Sequence, residues 1–338
     1  MADQKSNEIL PKVGITVGDP AGIGPEISLR SLSDSSIQAV CRPVLIGDLE
    51  FLRSQARIFG VEPQLVSFGD GSYSGTIEVI DLGNIDETIE PGVESAATGR
   101  ASGQCIIRAV ELWEQGVIDA IATAPISKNA LKMAGFPYPG HTEFLAHLTR
   151  TSEYAMSFFA EKLRVVLLST HLSLLEAIDR VKTGPLIDLI RFSDRKLAEL
   201  LGRRPHIAVA GLNPHASEGG MFGTEERNEI VPAIDECIAE GIDVSGPYSP
   251  DTIFLRGYRG EFDAVVACYH DQATIAVKSL SFGSSVNVTL GLPLIRTSVD
   301  HGTAFDIAGK GVANESSMKA AIRLAAELVL SKRGNSNC

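Results

Sequence analysis

The chain has 338 residues, 44% of them hydrophobic, and a net charge of −12 from 42 acidic and 30 basic side chains. With a mean hydropathy of +0.11 and a pI near 5.1, it has the apolar material that disordered chains lack. It also lacks the basic cluster with which nucleic-acid binders displace counterions. A small anionic substrate remains compatible, because a local cationic pocket can sit inside an acidic protein.

At roughly 100–200 residues per domain, the length predicts two domains or one large α/β unit. The first ten residues are polar, without the apolar stretch of a signal peptide. No segment approaches the ~18 apolar residues of a membrane span. The five cysteines, Cys41, Cys105, Cys237, Cys268 and Cys338, never form a C-x-x-C pair. The expectation is therefore a cytoplasmic protein with reduced thiols, neither a disulfide scaffold nor a thiolate zinc protein.

In chain order, short apolar runs bounded by Gly, Asp, Pro or Asn read as buried strands: Val13–Val17, Val44–Ile46, Ala120–Thr123, Val165–Leu168, Ile207–Ala210, Ala264–Ala267 and Val286–Leu290. Helical patterns lie among them at Gly103–Gln115, Pro185–Leu201, Glu225–Glu240 and Ser316–Leu330. The last is the clearest, with Met318, Ala321, Ile322, Ala325, Leu328 and Val329 at helical spacing after a Ser-rich start, and a polar tail follows it at 333–338. The alternation predicts βαβ units and a largely parallel sheet covered by helices.

Between the first strand and a helix lies Gly18-Asp-Pro-Ala-Gly-Ile-Gly-Pro-Glu26. Such a turn can offer N–H groups to an anion. The third glycine of a dinucleotide fingerprint and the Lys-Ser/Thr of a P-loop are both missing. A tight turn with Pro25 opening a helix accounts for it.

Three of the seven histidines follow apolar runs: His171, His215 and His270. Ligands of open α/β sheets bind beyond the carboxyl ends of the strands. Three neutral imidazoles brought there suit a divalent ion such as Zn²⁺ or Co²⁺ and leave it an open position. On the residues alone, loop hydrogen bonding remains the alternative for each. His147 fits a helix face and His206 precedes a strand, so both read as structural or solvated. His141 and Thr142 follow a Tyr-Pro-Gly turn and open the helix Glu143–Leu148, where helix N-termini favour anions. Lys278, Asn287 and Arg296 surround the strand Val286–Leu290, and the apolar setting of Arg296 argues against a fully solvated role. The small-residue segment 300–314 is too long for a minimal turn and reads as a functional loop.

Six segments together carry a resemblance: Thr16-Val-Gly-Asp-Pro-Ala-Gly-Ile-Gly-Pro-Glu26, Thr123-Ala-Pro-Ile-Ser-Lys128, Gly140-His-Thr-Glu143, Gly211-Leu-Asn-Pro-His215, Tyr269-His-Asp-Gln272 and Val299-Asp-His-Gly-Thr303. In this order the chain resembles the 4-hydroxythreonine-4-phosphate dehydrogenase family of vitamin B6 synthesis and its paralogues. The resemblance implies an isocitrate/isopropylmalate dehydrogenase-like fold: two α/β/α domains, 1–135 with 300–338 and 136–299, and an active-site cleft between them. It implies metal ligation by His171, His215 and His270 at the interface of a homodimer, with one divalent ion (Zn, Co, Mg or Mn) per site. Substrate contacts fall on His141, Thr142, Lys278, Asn287 and Arg296. The segment from His301 resembles the cofactor loop of isopropylmalate dehydrogenases, which assigns His301, Gly302, Thr303 and Asp306 to NAD or NADP.

The expected reaction is metal-dependent oxidation of a small anionic substrate, a phosphorylated four-carbon hydroxy acid, followed by decarboxylation of the β-keto acid. Asp251, Asp271 and Lys128 are the candidate proton acceptors. The chain has Ser217 where biosynthetic members often have Gly, Met221-Phe222 where they have His-Met, and Ala273 where Gly is common. These changes flank the proposed ligands and leave the substrate open among hydroxythreonine phosphate, phospho-threonate or -erythronate, and a cis-dihydrodiol carboxylate. Two readings of other classes are a phosphotransacetylase-like acyltransferase and a non-catalytic metabolite-binding protein.

Overall fold

The computed structural model describes residues 10–61, 64–70, 75–86, 88–281 and 283–335. The polar stretch 1–9 and the last three tail residues lie outside them. The chain divides into two compact units, residues 1–150 with 293–330, and 151–292 with 331–338.

The first unit begins with β1 (Lys12–Thr16), α1 (Gly24–Leu32), α2 (Ser35–Gln38), β2 (Arg42–Gly47), α3 (Leu49–Phe59), β3 (Gln64–Ser67) and β4 (Thr76–Asp81). There follow α4 (Ala96–Glu114), β5 (Ala120–Thr123), α5 (Lys128–Met133) and α6 (His141–Leu148). The second unit contains β6 (Ala155–Ala160), β7 (Leu163–Leu167), α7 (Leu174–Arg180), α8 (Thr183–Leu201), β8 (Ile207–Ala210) and α9 (Val231–Ala239), the last preceded by a π turn at Glu226–Ile230. It continues with β9 (Val244–Tyr248), α10 (Pro250–Tyr258), β10 (Ala264–Ala267), α11 (His270–Leu280) and β11 (Val286–Leu290). The chain then supplies β12 (Ile295–Ser298) and α12 (Ser316–Asn335).

Strand order in the first unit is β3-β4-β2-β1-β5-β12, and each neighbouring pair is parallel. Order reverses between β1 and β5, the position where open α/β sheets place a crevice. On α12, Met318, Ala321, Ile322 and Ala325 are fully buried, and Thr297 of β12 donates to the Ala321 carbonyl at 2.9 Å. The helix runs to Asn335, so part of the segment read as a polar tail is helical.

The second unit orders its strands β11-β6-β7-β10-β8-β9. Alternate side chains of its strands fill two separate cores. Leu163, Val165, Ala208, Ala210, Val265 and Ala267 join Phe254 and Phe262 in one. Ile207, Val209, Val266 and Cys268 join Ile190, Ile230 and Ile234 in the other. This two-residue period on strands covered from both sides is why their sequences read as continuous apolar runs.

One part of this sheet departs from the parallel expectation. Strand β6 is antiparallel to both β7 and β11. Only Glu161 and Lys162 separate β6 from β7, with Glu161 in the left-handed region at φ 52°. A two-residue link can join strands only as a hairpin, whereas a parallel pair needs a crossover of a dozen residues.

Helix α4 crosses α5 at unusually close range. A Cβ on Gly99 would fall 1.9 Å from the Ala130 carbonyl oxygen, and one on Gly103 would overlap the Phe136 ring at 2.2 Å. Ser95 and Thr98 form a reciprocal cap at the start of α4. Replacing Gly99 with Ala is expected to lower stability by about 1–3 kcal/mol through overpacking, read as a lower urea midpoint. A midpoint at or above that of the unaltered protein would contradict this close approach.

Candidate functional site

In the second unit, β7, β10 and β8 are consecutive neighbours, and each leads into one of the three histidines. The exits of these strands are tied together by side chains. Ser169 donates to the Cys268 carbonyl at 3.0 Å, joining the ends of β7 and β10. Buried Gln272 accepts from the Cys268 amide at 2.8 Å and donates to the Gly211 carbonyl at 2.8 Å, joining the ends of β10 and β8. His171 and His270 consequently stand together, with ring centroids 6.2 Å apart. His270 is the first residue of α11, and its Nδ1 lies 2.8 Å from Asp271 Oδ1. That contact occupies Nδ1 and leaves Nε2 for another partner, as carboxylates do for metal-binding histidines.

His215 is presented differently. Residues His215, Ala216, Ser217 and Glu218 all have positive φ, between 44° and 64°, a left-handed turn that non-glycine residues rarely adopt. Glu226, 2% exposed, holds the approach to it. Its Oε1 accepts the amides of Leu212 at 2.9 Å and Asn213 at 2.7 Å, and its Oε2 accepts Asn213 Nδ2 at 2.9 Å. Gly211 fits against Ala216 with no room for a side chain, since a Cβ would lie 3.0 Å away. Among the described residues of the single chain, no group of three or more His, Cys, Asp or Glu side chains is placed to hold one ion. The chain thus pairs His171 with His270 and does not bring all three rings into one ligand set.

Other candidates of the second unit lie nearby in sequence. Asp251 and Asp271, in the first turns of α10 and α11, line a groove of about 540 Å³ with Phe254, Tyr269 and Ile275. Asp251 accepts from Ser249 Oγ at 2.6 Å. Lys278 is exposed in the last turn of α11, and Asn287 sits on β11 opposite Phe158 of β6.

The first unit gathers His141, Thr142 and Arg296. Helix α6 starts at His141, behind Gly140, which gives no side-chain cap. Arg296 of β12 is 4% exposed and donates Nη2 to Thr123 Oγ1 of β5 at 3.0 Å. Burial lowers the Arg296 pKa to about 10, partly offset by Glu143, so the guanidinium stays charged at neutral pH. Burial, then the Arg296 charge, pushes the His141 pKa well below its ordinary value. His141 is therefore neutral, and its buried Nε2 has no hydrogen-bond partner. Lys128 opens α5 behind the Ser127 cap, near Gly140, whose added Cβ would lie 3.8 Å from Lys128 Cε.

The glycine-rich turn packs against backbone. Added Cβ atoms on Gly18 and Gly24 would lie 2.3 Å from the Pro125 oxygen and 2.2 Å from the Val17 oxygen. Asp19 at its centre is fully buried. Burial raises its pKa to about 6 despite a hydrogen bond from the Ala21 amide, with Glu94 adding repulsion. The segment 300–314 leaves Gly302, Asp306, Lys310 and Val312 exposed, His301 and Thr303 half-buried, and the His301 Nδ1 3.0 Å from the Gly302 oxygen. His147 is exposed on α6 beside Tyr138, and His206 packs on Phe262. Cys41, Cys105, Cys237 and Cys268 are free and buried. No described helix is long and apolar enough to cross a membrane.

Comparison with known proteins gives this arrangement its class. The chain is 47% identical over 327 residues to the D-threonate 4-phosphate dehydrogenase of Cupriavidus necator, covering 95% of this chain and 98% of that one. It is 43% identical over 331 residues to the 4-hydroxythreonine-4-phosphate dehydrogenase of Trichlorobacter lovleyi, covering 95% and 98%. The crystal structure of a 4-hydroxythreonine-4-phosphate dehydrogenase from Klebsiella pneumoniae superposes with a TM-score of 0.87 at 44% identity, covering 94% of this chain and 99% of that one. The chain is a mixed α/β oxidoreductase of the dehydrogenase class. Residues 39–325 match the family described as pyridoxal phosphate biosynthetic protein PdxA, and the chain belongs to that family.

Gln272 and Glu226 were not singled out from the sequence. The only signal for Gln272 was its place in Tyr269-His-Asp-Gln272, and Glu226 looked like one more helix-surface acid. Glu226→Ala is expected to speed hydrogen exchange at the Leu212 and Asn213 amides by roughly ten- to a hundredfold, the scale of a lost charge-assisted hydrogen bond. Unchanged exchange at both amides would remove Glu226 from the support of this turn.

Proposed function

We propose that the chain oxidises the C3 hydroxyl of a phosphorylated four-carbon 3-hydroxy acid with NAD or NADP, aided by a divalent ion, and that the resulting β-keto acid loses CO₂. The observation that carries this reading is the pair His171 and His270 at adjacent strand ends, with Asp271 on Nδ1 of His270. The residues fit a metal: neutral imidazoles are good ligands for Zn²⁺ and Co²⁺ and acceptable for other divalent ions. When bound, such an ion would lower the alcohol's pKa and favour the enolate left by decarboxylation.

The rest of the chemistry falls to side chains. Arg296, charged at neutral pH and fixed on Thr123, with neutral His141, Thr142 and the start of α6, offers N–H donors to an anionic group. Lys278 and Asn287 complete the substrate contacts and orient the carbinol carbon. Hydride passes to the nicotinamide, held by His301, Gly302, Thr303 and Asp306, and the hydroxyl proton passes to Asp251, Asp271 or Lys128. The keto acid then gives CO₂ and an enol that is protonated to the ketone. D-Threonate 4-phosphate and 4-hydroxythreonine 4-phosphate share all of these reacting atoms and differ only at C2, hydroxyl against amine. A cis-dihydrodiol carboxylate has no phosphate to engage the Arg296 cluster.

Each phosphorylated acid, tested with NAD and NADP and with Zn²⁺, Co²⁺, Mg²⁺ or Mn²⁺, separates these choices. The expected result is reduced nicotinamide formed with at least one of them, abolished by a chelator and restored by a divalent ion. Full activity after chelation, or none with any of these acids, overturns the proposal.

We further propose that the ion is shared between two chains of a homodimer. Leu175, Met221 and Ile275, near the histidines in sequence, are 71%, 73% and 66% exposed, a load of apolar surface that a second copy would cover. His171→Ala, His215→Ala and His270→Ala should each lose activity at least ~100-fold. Mixing these inactive variants in pairs gives heterodimers with one intact site wherever the two lesions fall on different chains of a site. Two of the three mixtures are expected to regain about a quarter of normal activity, and no recovery in any mixture overturns the sharing.

A further inference from the structure

We infer that Arg30 and Glu26, on α1, are positioning residues for nicotinamide cofactor binding, acting by fixing the backbone of the 300–314 loop; this rests on the proposed role of that loop. The glycine-rich motif that ends in Glu26 then has a function other than cradling an anion. It builds a platform.

The platform touches the loop at three places along its length. At the near end, the Ile23 amide donates to the Thr303 carbonyl at 3.0 Å, and an added Cβ on Gly22 would meet Thr303 Cβ and O at 3.0 Å. In the middle, the turn around Gly92 braces the loop. The Gly92 amide donates to Ala21 O at 2.8 Å, and an added Cβ on Gly92 would lie 2.8 Å from the Phe305 oxygen.

At the far end the work passes to side chains. Buried Glu26 accepts the Ala313 amide on Oε1 at 2.9 Å. Arg30 donates Nη2 to the Gly311 carbonyl at 2.6 Å and Nη1 to Ala313 O at 3.5 Å. Its Nε lies 3.4 Å from Glu26 Oε1. One turn of helix separates the two residues, so the pair presents an acceptor and a fork of donors on one face.

Among the described residues, the backbone hydrogen bonds within the loop include the short turns Ile307 to Ala304, Ala308 to Phe305 and Lys310 to Ile307. Such turns fix local shape but do not fix the loop to the fold. Gly309 and Gly311 are left-handed, at φ 74° and 68°. A segment of this composition without anchors would populate many conformations, and its apparent affinity would fall by the fraction that is competent to bind. Arg30, 30% exposed on its side chain, can be altered without opening the core, whereas Glu26 cannot.

The test measures cofactor Kd by quenching or transfer fluorescence of reduced nicotinamide, with KM for cofactor and acid and kcat, in the holoenzyme. Arg30→Met is expected to raise cofactor Kd and KM roughly tenfold, with acid KM within about twofold and kcat changed less than cofactor KM. Arg30→Lys should recover most of the loss by keeping one donor near Gly311. Asp306→Ala serves as the direct loop variant. Unchanged cofactor Kd in folded Arg30→Met while Asp306→Ala weakens binding overturns the inference alone. Equal rises in both KM values with a lowered melting temperature also overturn it, because the residue would then be merely structural. No change in either variant overturns it together with the assignment of the loop.

Discussion

The loops that follow the strands of this protein depend on buried side-chain oxygens that take the place of a neighbouring strand. A loop that leaves the carboxyl end of a strand carries amides with no ladder partner, and an unpaired buried amide costs about as much as a lost hydrogen bond. Four buried carboxylates meet that need. Glu226 accepts Leu212 and Asn213, and Glu26 accepts Ala313. Asp48 accepts both Phe51 and Ile85, and Asp19 accepts Ala21. A carboxylate suits the purpose because each oxygen can take more than one N–H, and its charge strengthens each bond. Asp19 shows the other side of the arrangement. Burial prevails over the backbone hydrogen bonds from Ala21 and Ser127 and a distant Thr98 hydroxyl at 3.5 Å, Glu94 adds repulsion, and the Asp19 pKa climbs to about 6.

The same device explains how the chain tolerates the turn at His215. Left-handed conformation costs about 1–2 kcal/mol for each L-residue, and four successive non-glycine residues adopt it. The three hydrogen bonds on Glu226 are charge-assisted, worth about 1.5–3 kcal/mol apiece. The two sums are of the same order, so the clamp on the adjoining Leu212 and Asn213 is large enough to offset the strain. Strain of this kind gathers at functional positions. Here it projects an imidazole outward from a strand exit that Gln272 has already locked to its neighbour.

Much of this architecture is legible from residue order. The strands Ala120–Thr123, Ile207–Ala210, Ala264–Ala267 and Val286–Leu290 form with the boundaries read from sequence, because each is a short apolar run closed by a polar or turn residue. The histidines stand out for the same reason, as polar side chains just beyond such runs, and Arg296 was marked by apolar neighbours. Strand β6, Ala-Met-Ser-Phe-Phe-Ala, escaped notice because it has no β-branched residue and its partners are antiparallel. Strand β9, Val-Ser-Gly-Pro-Tyr, carries the Gly and Pro that normally punctuate loops. The clamps are hidden for a different reason. Glu26 and Glu226 look like ordinary helix-surface acids, and what they hold is backbone, which has no side-chain signature. Ala313 lies 287 residues from Glu26, a distance at which pattern reading has no purchase.

Under the proposed sharing of an ion between two chains, the exposed apolar residues near the histidines in sequence would have a physical purpose. In a free chain, His171 and His215 face water at little cost, but Leu175, Met221 and Ile275 do not. Covering them releases hydrophobic free energy at about 25 cal/mol per Å², whether or not an ion is present. The ion then adds only what the final ligand supplies. On this reading, association provides the driving force and the histidines provide the register, since three nitrogens must meet at one point. An ion bound only by the paired state stabilises that state by mass action, so metal occupancy and dimer stability rise together. The left-handed turn would matter most at this step of the proposed assembly. An imidazole held outward by a clamped backbone would arrive already oriented, so that association need not spend its free energy on ordering it.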